Sequence, residues 1–314
     1  MRTPLGWAAA RWQLTPRALR WATTAALLVS ILIILTGGLV RVTGSGLGCP
    51  NAVIACEADS LLPTAELGIH GIIESTNRAL TILVIAGVGW AIIAARLQRP
   101  RQRWITRLAW SQFWLVVANA VAGAITVVVG LNPWVVALHF ALAIVLLATT
   151  TFTWHRVHED NGLPLAAASQ RPLAWALVVG TLILVLLGTL VTGTGPHSGD
   201  SSDVPRMAFQ WEGVAWAHGI VGAAVLLIAT VMFARSRRAG REALVRRRLL
   251  IFLGAVVLQG ALGLIQVFTG LPEAVVALHV LGAALVWVGA LRVLLDADPL
   301  LFARARAGNS LDAA

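Results

Sequence analysis

The 314-residue chain contains no lysine and little charge of either sign, with Asp, Glu and Arg together making up 12% of it. A soluble domain carries about 25% charged residues, so an ordinary water-facing surface is excluded. Cysteine is nearly absent too: Cys49 and Cys56 are the only two, both in one short loop sequence. The chain is instead 58% hydrophobic, with a mean hydropathy of +0.81. Several runs approach or exceed the ~20 apolar residues that span a bilayer. The net charge of +10 rests on arginine alone. Its placement in loops accounts for it without a nucleic-acid partner. The first apolar run is too long for a signal-peptide core and reads as a retained helix.

Eight apolar segments are expected, over 20–42, 66–95, 108–130, 134–154, 172–193, 211–234, 248–270 and 273–294. Arginine recurs on one side of them. Arg2, Arg11, Arg17 and Arg20 precede the first, and Arg96, Arg99, Arg101, Arg103 and Arg107 follow the second. Arg156 and Arg171 follow the fourth, Arg235, Arg237, Arg238, Arg241 and Arg246 to Arg248 the sixth, and Arg304 and Arg306 the eighth. The other connections carry Glu57, Asp59, Asp200, Asp203 and Glu273. Arginine-rich loops stay cytoplasmic, which places both termini inside and the lipid bilayer around the eight spans.

The chain also repeats itself. Gly123 to His139 and Gly263 to His279 share the framework Gly123/Gly263, Gly130/Gly270 and a common Val-Val-Ala-Leu-His ending. Four spans per copy give both copies the same orientation, so the expected fold is all-α, with eight transmembrane helices arranged as two parallel-repeat four-helix bundles. The expected halves are residues 1–160 and 161–314.

Each copy keeps a histidine inside apolar sequence. His218 precedes His279 by 61 residues, and Asn77 precedes His139 by 62, which makes Asn77 the repeat mate of His218. Two histidines at similar depth on neighbouring antiparallel helices suit ligation of a haem iron from both sides. The competing reading is a polar residue hydrogen-bonded between helices, but ionisable residues inside a membrane are rare and usually functional. Zinc fits less well, because no cysteine or dense carboxylate cluster surrounds the histidines. The copies are unequal: Glu74 and Arg78 flank Asn77, where the second copy has Ala215 and Gly219. One helical turn separates Glu74 from Arg78, so they could simply pair. Alternatively, Glu74 serves chemistry and Arg78 meets a haem propionate. On that reading the first copy is reactive and the second is structural or electron-carrying. His70 shares the face of Glu74 and Asn77 and could replace the missing ligand, but it lies about 10 Å from Asn77 along the axis. His155, His158 and His197 fall at helix ends or in loops. Cys49 and Cys56, in an outer loop, favour a disulfide, either structural or redox-active.

These residues resemble the haem A synthase family of cytochrome oxidase assembly. The resemblance rests on Thr36-Gly-Gly-Leu-Val-Arg41-Val-Thr-Gly-Ser-Gly-Leu-Gly-Cys49-Pro50, the cysteine pair, Glu74-x-x-Asn77-Arg78 and the repeated histidine helices. It implies an oxidoreductase of the bacterial plasma membrane that converts the C8 methyl of haem O to a formyl group by successive hydroxylations. It further implies haem b held by His218 and His279, haem O facing His139, Glu74 as the essential carboxylate and a Cys49–Cys56 disulfide. Haem O synthase and oxidase assembly proteins are the implied partners, with self-association left open. One departure stands out: many members have Glu-x-x-His-Arg where this chain has Glu74-Ser-Thr-Asn77-Arg78. The alternatives are a di-haem b-type cytochrome linked to quinol, a parallel-repeat transporter, and a haem-binding assembly factor without catalysis.

Overall fold

A computed structural model describes residues 3–49, 56, 65–159, 170–197, 199, 200, 202, 204–238, 240–299 and 301. Arg2, Glu57, Asp59, Asp203, Arg304 and Arg306 lie outside the described residues. Within them the chain is helical: α1 (Pro4–Arg11), α2 (Pro16–Val42), α3 (Gly68–Arg96), α4 (Arg103–Val128), α5 (Pro133–His158), α6 (Arg171–Thr194), α7 (Trp211–Arg235), α8 (Gly240–Phe268) and α9 (Glu273–Ala297), with a single 3₁₀ turn at Ala65–Leu67. Helices α2 to α9 are each long and apolar enough to cross a membrane, and the protein is a multi-pass membrane protein. In hydrocarbon every backbone polar group must be satisfied within the segment, which selects helices for such runs.

Helix starts follow local chemistry. Thr3 and Thr15 precede prolines, and their hydroxyls accept from the amides of Gly6 and Ala18, each at 3.2 Å. Asn132 precedes Pro133, and its Oδ1 accepts from Trp134 N at 3.0 Å. Proline at the first helical position loses no hydrogen bond, and the cap supplies an acceptor for an orphan amide. The described helices outrun the expected spans at their arginine ends, most of all α8, which begins at Gly240 rather than 248. Long basic side chains reach water from there, so helical turns continue past the hydrocarbon.

Helices α2 to α5 pack in a ring, α2 on α3, α3 on α4, α4 on α5 and α5 on α2; helices α6 to α9 do the same. The rings meet through α2 on α9, α5 on α9 and α5 on α6. Small residues set the closest approaches, which is how membrane helices gain packing without a hydrophobic driving force. Gly87 of α3 lies against Ala26 and Val29 of α2, and Gly38 of α2 lies against Val280 of α9. Across the seam, Trp287 Nε1 donates to the Ile144 carbonyl at 3.1 Å, fully buried.

The α4–α5 and α8–α9 turns share one backbone. Gly130 and Leu131 have φ of 60° and 57°, and Gly270 and Leu271 have 75° and 60°. The leucine amide closes each turn, on Thr126 O and on Gln266 O, both at 2.8 Å. Two consecutive left-handed residues are costly unless the first is glycine, so the paired glycines of the repeat mark a turn as well as an alignment.

At the same end, residues 43–49 meet the connection between α6 and α7. Ser45 and Asp200 form an antiparallel bridge. Gly46 N donates to Gly199 O at 2.8 Å, and Leu47 N donates to Asp200 Oδ2 at 2.9 Å. Arg41 Nε donates to His197 O at 3.2 Å. His197 Nε2 bonds Leu271 O at 2.9 Å.

Candidate functional site

The four positions singled out by the repeat share a local design. His139 on α5 lies over Gly123 of α4: a methyl there would stand 3.2 Å from its Cε1. His218 on α7 lies over Gly188 of α6 at the same distance, and His279 on α9 lies over Gly263 of α8 at 3.8 Å. Asn77 on α3 lies next to Gly37 of α2, with its Oδ1 4.0 Å from the place a methyl would occupy. In each case the preceding helix gives up a side chain to make room for a polar group.

A backbone group of the preceding helix orients one of the rings. His218 Nδ1 donates to the Leu184 carbonyl at 3.0 Å. Nδ1 of His139 is buried beside the Asn119 backbone, and Nδ1 of His279 beside that of Gln259, in neither case with a fully formed hydrogen bond. Asn119 and Gln259 are themselves repeat mates. A ring held through Nδ1 presents Nε2, the arrangement metal-bound histidines use.

The rings of His218 and His279 face each other with centroids 6.2 Å apart and planes at 61°. Two imidazoles bonded through Nε2 to one metal at about 2.0 Å would place their centres about 6.3 Å apart. The spacing of the two rings is close to that of two imidazoles on one metal. Among the described residues no three His, Cys, Asp or Glu side chains gather into a metal-holding group.

The first half differs. Glu74 is buried at 4% exposure. Its Oε1 pairs with Arg78, and its Oε2 accepts from the Cys49 amide at 2.7 Å. Cys49 is bonded to Cys56, and both are buried. Asn77 Oδ1 accepts from Thr36 Oγ1 at 2.8 Å. His70 lies one turn toward the loop, and its Nδ1 bonds Ser45 Oγ at 2.9 Å. The arrangement thus brings Glu74, Arg78 and the disulfide together, and separately joins Asn77 to Thr36. No hydrogen bond or ring contact among the described residues joins His139 to Glu74 or Asn77. Of the remaining histidines, His155 Nε2 faces Asp296 Oδ1 at 3.4 Å, His158 Nδ1 bonds Trp154 O at 2.8 Å, and His197 is held by Leu271 O.

Sequence reasoning missed two things. The glycines at 37 and 188 carried a signal, since each lies one helix before a ligand position. The Cys49 amide carried none: a main-chain donor has no sequence signature, and its placement depends on how the loop returns over α3.

Comparison with known proteins gives this geometry a family. Residues 62–291 match the COX15-CtaA profile, described as cytochrome oxidase assembly protein. The chain belongs to this family. Among its relatives, the heme A synthase of Geobacillus kaustophilus (strain HTA426) is 25% identical over 281 residues, covering 84% of this chain and 86% of its own length. That of Geobacillus thermodenitrificans is 24% identical over 277 residues, covering 81% and 84%. That of Bacillus mycoides (strain KBAB4) is 25% identical over 279 residues, covering 84% and 88%. The family match spans α3 to α8 and α9 as far as Leu291, with every residue of the site except those on α2 and in the 43–56 loop.

Proposed function

We propose that the chain is a haem A synthase of the bacterial plasma membrane, oxidising the C8 methyl of haem O to a formyl group for cytochrome oxidase assembly. The observation that carries this reading is the asymmetry of two matched sites. One half offers two histidine rings 6.2 Å apart. The other offers one histidine, His139, and on another of its helices the buried carboxylate of Glu74. Membership of the family and the names of its relatives support it.

In this reading the half over 161–314 holds haem b between His218 and His279, and haem b supplies electron transfer when bound. Leu184 O, through Nδ1 of His218, fixes the tautomer that leaves Nε2 available. The half over 1–160 receives haem O against His139. Asn77 takes the place of a second ligand; amide oxygen is a poor donor to iron, and the Oδ1 of this residue is already engaged by Thr36. A substrate held by one histidine leaves more readily as product than one held by two.

Glu74 is the group positioned to handle protons as the methyl is oxidised. Its carboxylate is removed from water, and its two oxygens are held by a guanidinium and an amide. Preorganised in this way, it can take a proton from the reacting carbon or stabilise positive charge developing there, without reorganising at the moment of reaction. Arg78 keeps the carboxylate in place; its further role, toward a haem propionate, rests on the same reading. The arginine-rich ends of the spans, and with them both termini, face the cytoplasm. Haem O is expected from a haem O synthase in the same membrane.

The test is to purify the chain from cells making haem O, then extract and chromatograph its haems. Haem b together with haem O or haem A supports the proposal. Haem b alone indicates an electron-transfer cytochrome, haem O that is never converted indicates a non-catalytic assembly factor, and an absence of haem indicates a transporter.

A further inference from the structure

At the arginine-rich end of the protein, away from the four polar positions of the site, a cavity of about 360 Å³ opens between α2 and α5, lined by Arg17, Arg20, Trp21, Thr24 and His158. Its floor is tied down. Trp154 Nε1 donates to Thr24 Oγ1 at 3.0 Å, His158 stacks on Trp154 with ring centroids 4.8 Å apart, and the Thr24 hydroxyl donates to Arg20 O at 2.8 Å. Its mouth is cationic. Neither Arg17 nor Arg20 meets a carboxylate or a carbonyl among the described residues, whereas neighbouring arginines do. Arg171 pairs with Asp298 at 2.8 Å, Arg248 with Asp296 at 3.1 Å and Arg241 with Glu159 at 3.3 Å. Arg246 donates to Phe233 O at 2.8 Å, and Arg99 donates to Ala9 O at 2.9 Å.

The depth of this cavity is set by its surroundings. Trp21, in the second turn of α2, is 64% exposed. Tryptophan collects at the level of lipid headgroups, where one part of the ring is dry and the other wet. Arg17 and Arg20 lie in the first turns of α2, a helix of 27 residues, about 40 Å long and so long enough for its end to stand in the headgroup layer. Two guanidinium groups at that depth, over a cavity with an indole wall, form a receptor for a phosphodiester whose acyl chains run down the α2–α5 groove. Arginine suits this role because its planar fork matches phosphate oxygens two at a time.

We infer that the α2–α5 cavity is a binding site for the headgroup phosphate of an anionic phospholipid. The lipid would bridge two helices whose other ends carry parts of the haem O site, since Thr36 lies on α2 and His139 on α5. The inference stands independently of the proposed activity.

Native mass spectrometry of the full-length protein in detergent, titrated with phosphatidylglycerol, tests it. The wild type should keep one phosphatidylglycerol more tightly than the bulk annular lipids, and phosphatidylcholine should not occupy that place. Arg17→Gln/Arg20→Gln should lower the affinity of that one lipid roughly thirtyfold, from the contribution of each basic side chain near an anionic surface. Both arginines are exposed, so their loss should leave folding intact, checked by monodisperse elution. Arg237→Gln/Arg238→Gln removes the same charge from the same end and should leave the tight lipid in place. Equal retention by the wild type and the first variant overturns the assignment, as does an equal loss in the control variant. Displacement of the lipid by millimolar inorganic phosphate would make the site one for free phosphate and would also overturn it.

Discussion

Replacing Glu74 by glutamine preserves the shape of the side chain and removes one of its two acceptors. The native carboxylate accepts twice, from Arg78 at Oε1 and from the Cys49 amide at Oε2. A glutamine has one oxygen, so whichever way it turns, its NH₂ confronts either a guanidinium or a main-chain N–H. One buried donor is left unsatisfied, at a cost of about 1–3 kcal/mol. Separately, loss of a positioned acid–base group lowers a rate by about 10²- to 10⁴-fold. The two effects differ in their readouts. Glu74→Gln should retain the low-spin haem b spectrum, since His218 and His279 lie in the other ring of helices. It should unfold at a lower temperature by fluorescence-detected gel filtration, and extracted haem should show haem O accumulating with haem A reduced at least about a hundredfold. Glu74→Gln/Arg78→Gln lets the amide oxygen at 74 accept from the Cys49 amide while its NH₂ donates to the side-chain carbonyl at 78; it should recover part of the stability and none of the product. Wild-type haem A in the single variant would refute a chemical role for Glu74. Recovery of product along with stability in the double variant would show the residue to be structural.

The remaining predictions concern the ligands, the loop and the buried ion pairs. His279→Ala or His218→Ala should abolish the low-spin haem b absorption, while Gly263→Ala, whose methyl would stand 3.8 Å from the His279 ring, should leave it in place. Asn77→His should convert haem bound in the first half to a low-spin form visible by electron paramagnetic resonance and slow its release, because it restores the ligand its repeat mate carries. Cys49→Ser should preserve haem b but lower haem A formation, since the loop that brings the Cys49 amide to Glu74 loses its cross-link; product at wild-type level would show that the loop holds its shape without the bond. Asp296→Asn keeps an acceptor oxygen but removes the negative charge beside Arg248, and should destabilise the protein by about 1–3 kcal/mol, measured as loss of folded protein on heating.

How far the sequence could be read depended on the kind of signal. The spans were legible because length and apolarity leave a membrane segment few alternatives, and α6 and α7 begin and end within a residue of expectation. The start of α8 was not legible, because hydropathy reports hydrocarbon and the first two turns of that helix stand among arginines. Nor was α1, whose eight residues are too few to register as a span. Within the site, His139, His218, His279 and Asn77 stood out because the repeat placed them, and the Glu74–Arg78 pair followed from helical spacing. The partners Thr36, Leu184 and the Cys49 amide come from other helices or loops, and their approach is decided by packing. The polar contacts joining α5, α8 and α9 escaped for the same reason: His155 reads as a helix-end residue until α9 brings Asp296 to it.

The strand-like contact of Ser45 with Asp200 makes the two halves of the molecule unequal in a further sense. The segment that delivers the Cys49 amide to Glu74 is itself held by the connection between α6 and α7, through Gly199, Asp200 and His197. A pair of identical half-length chains could reproduce the two rings of helices and a histidine seat in each. Such a pair would have two identical connections, with no division of labour between a loop that reaches the carboxylate and a loop that braces it from outside. Within one polypeptide the two connections differ, so that the half with no buried carboxylate of its own at the matching position braces the loop over the half that has one. The α6–α7 connection is therefore where a change remote from His139 and from the His218–His279 pair would be felt first as a change in chemistry.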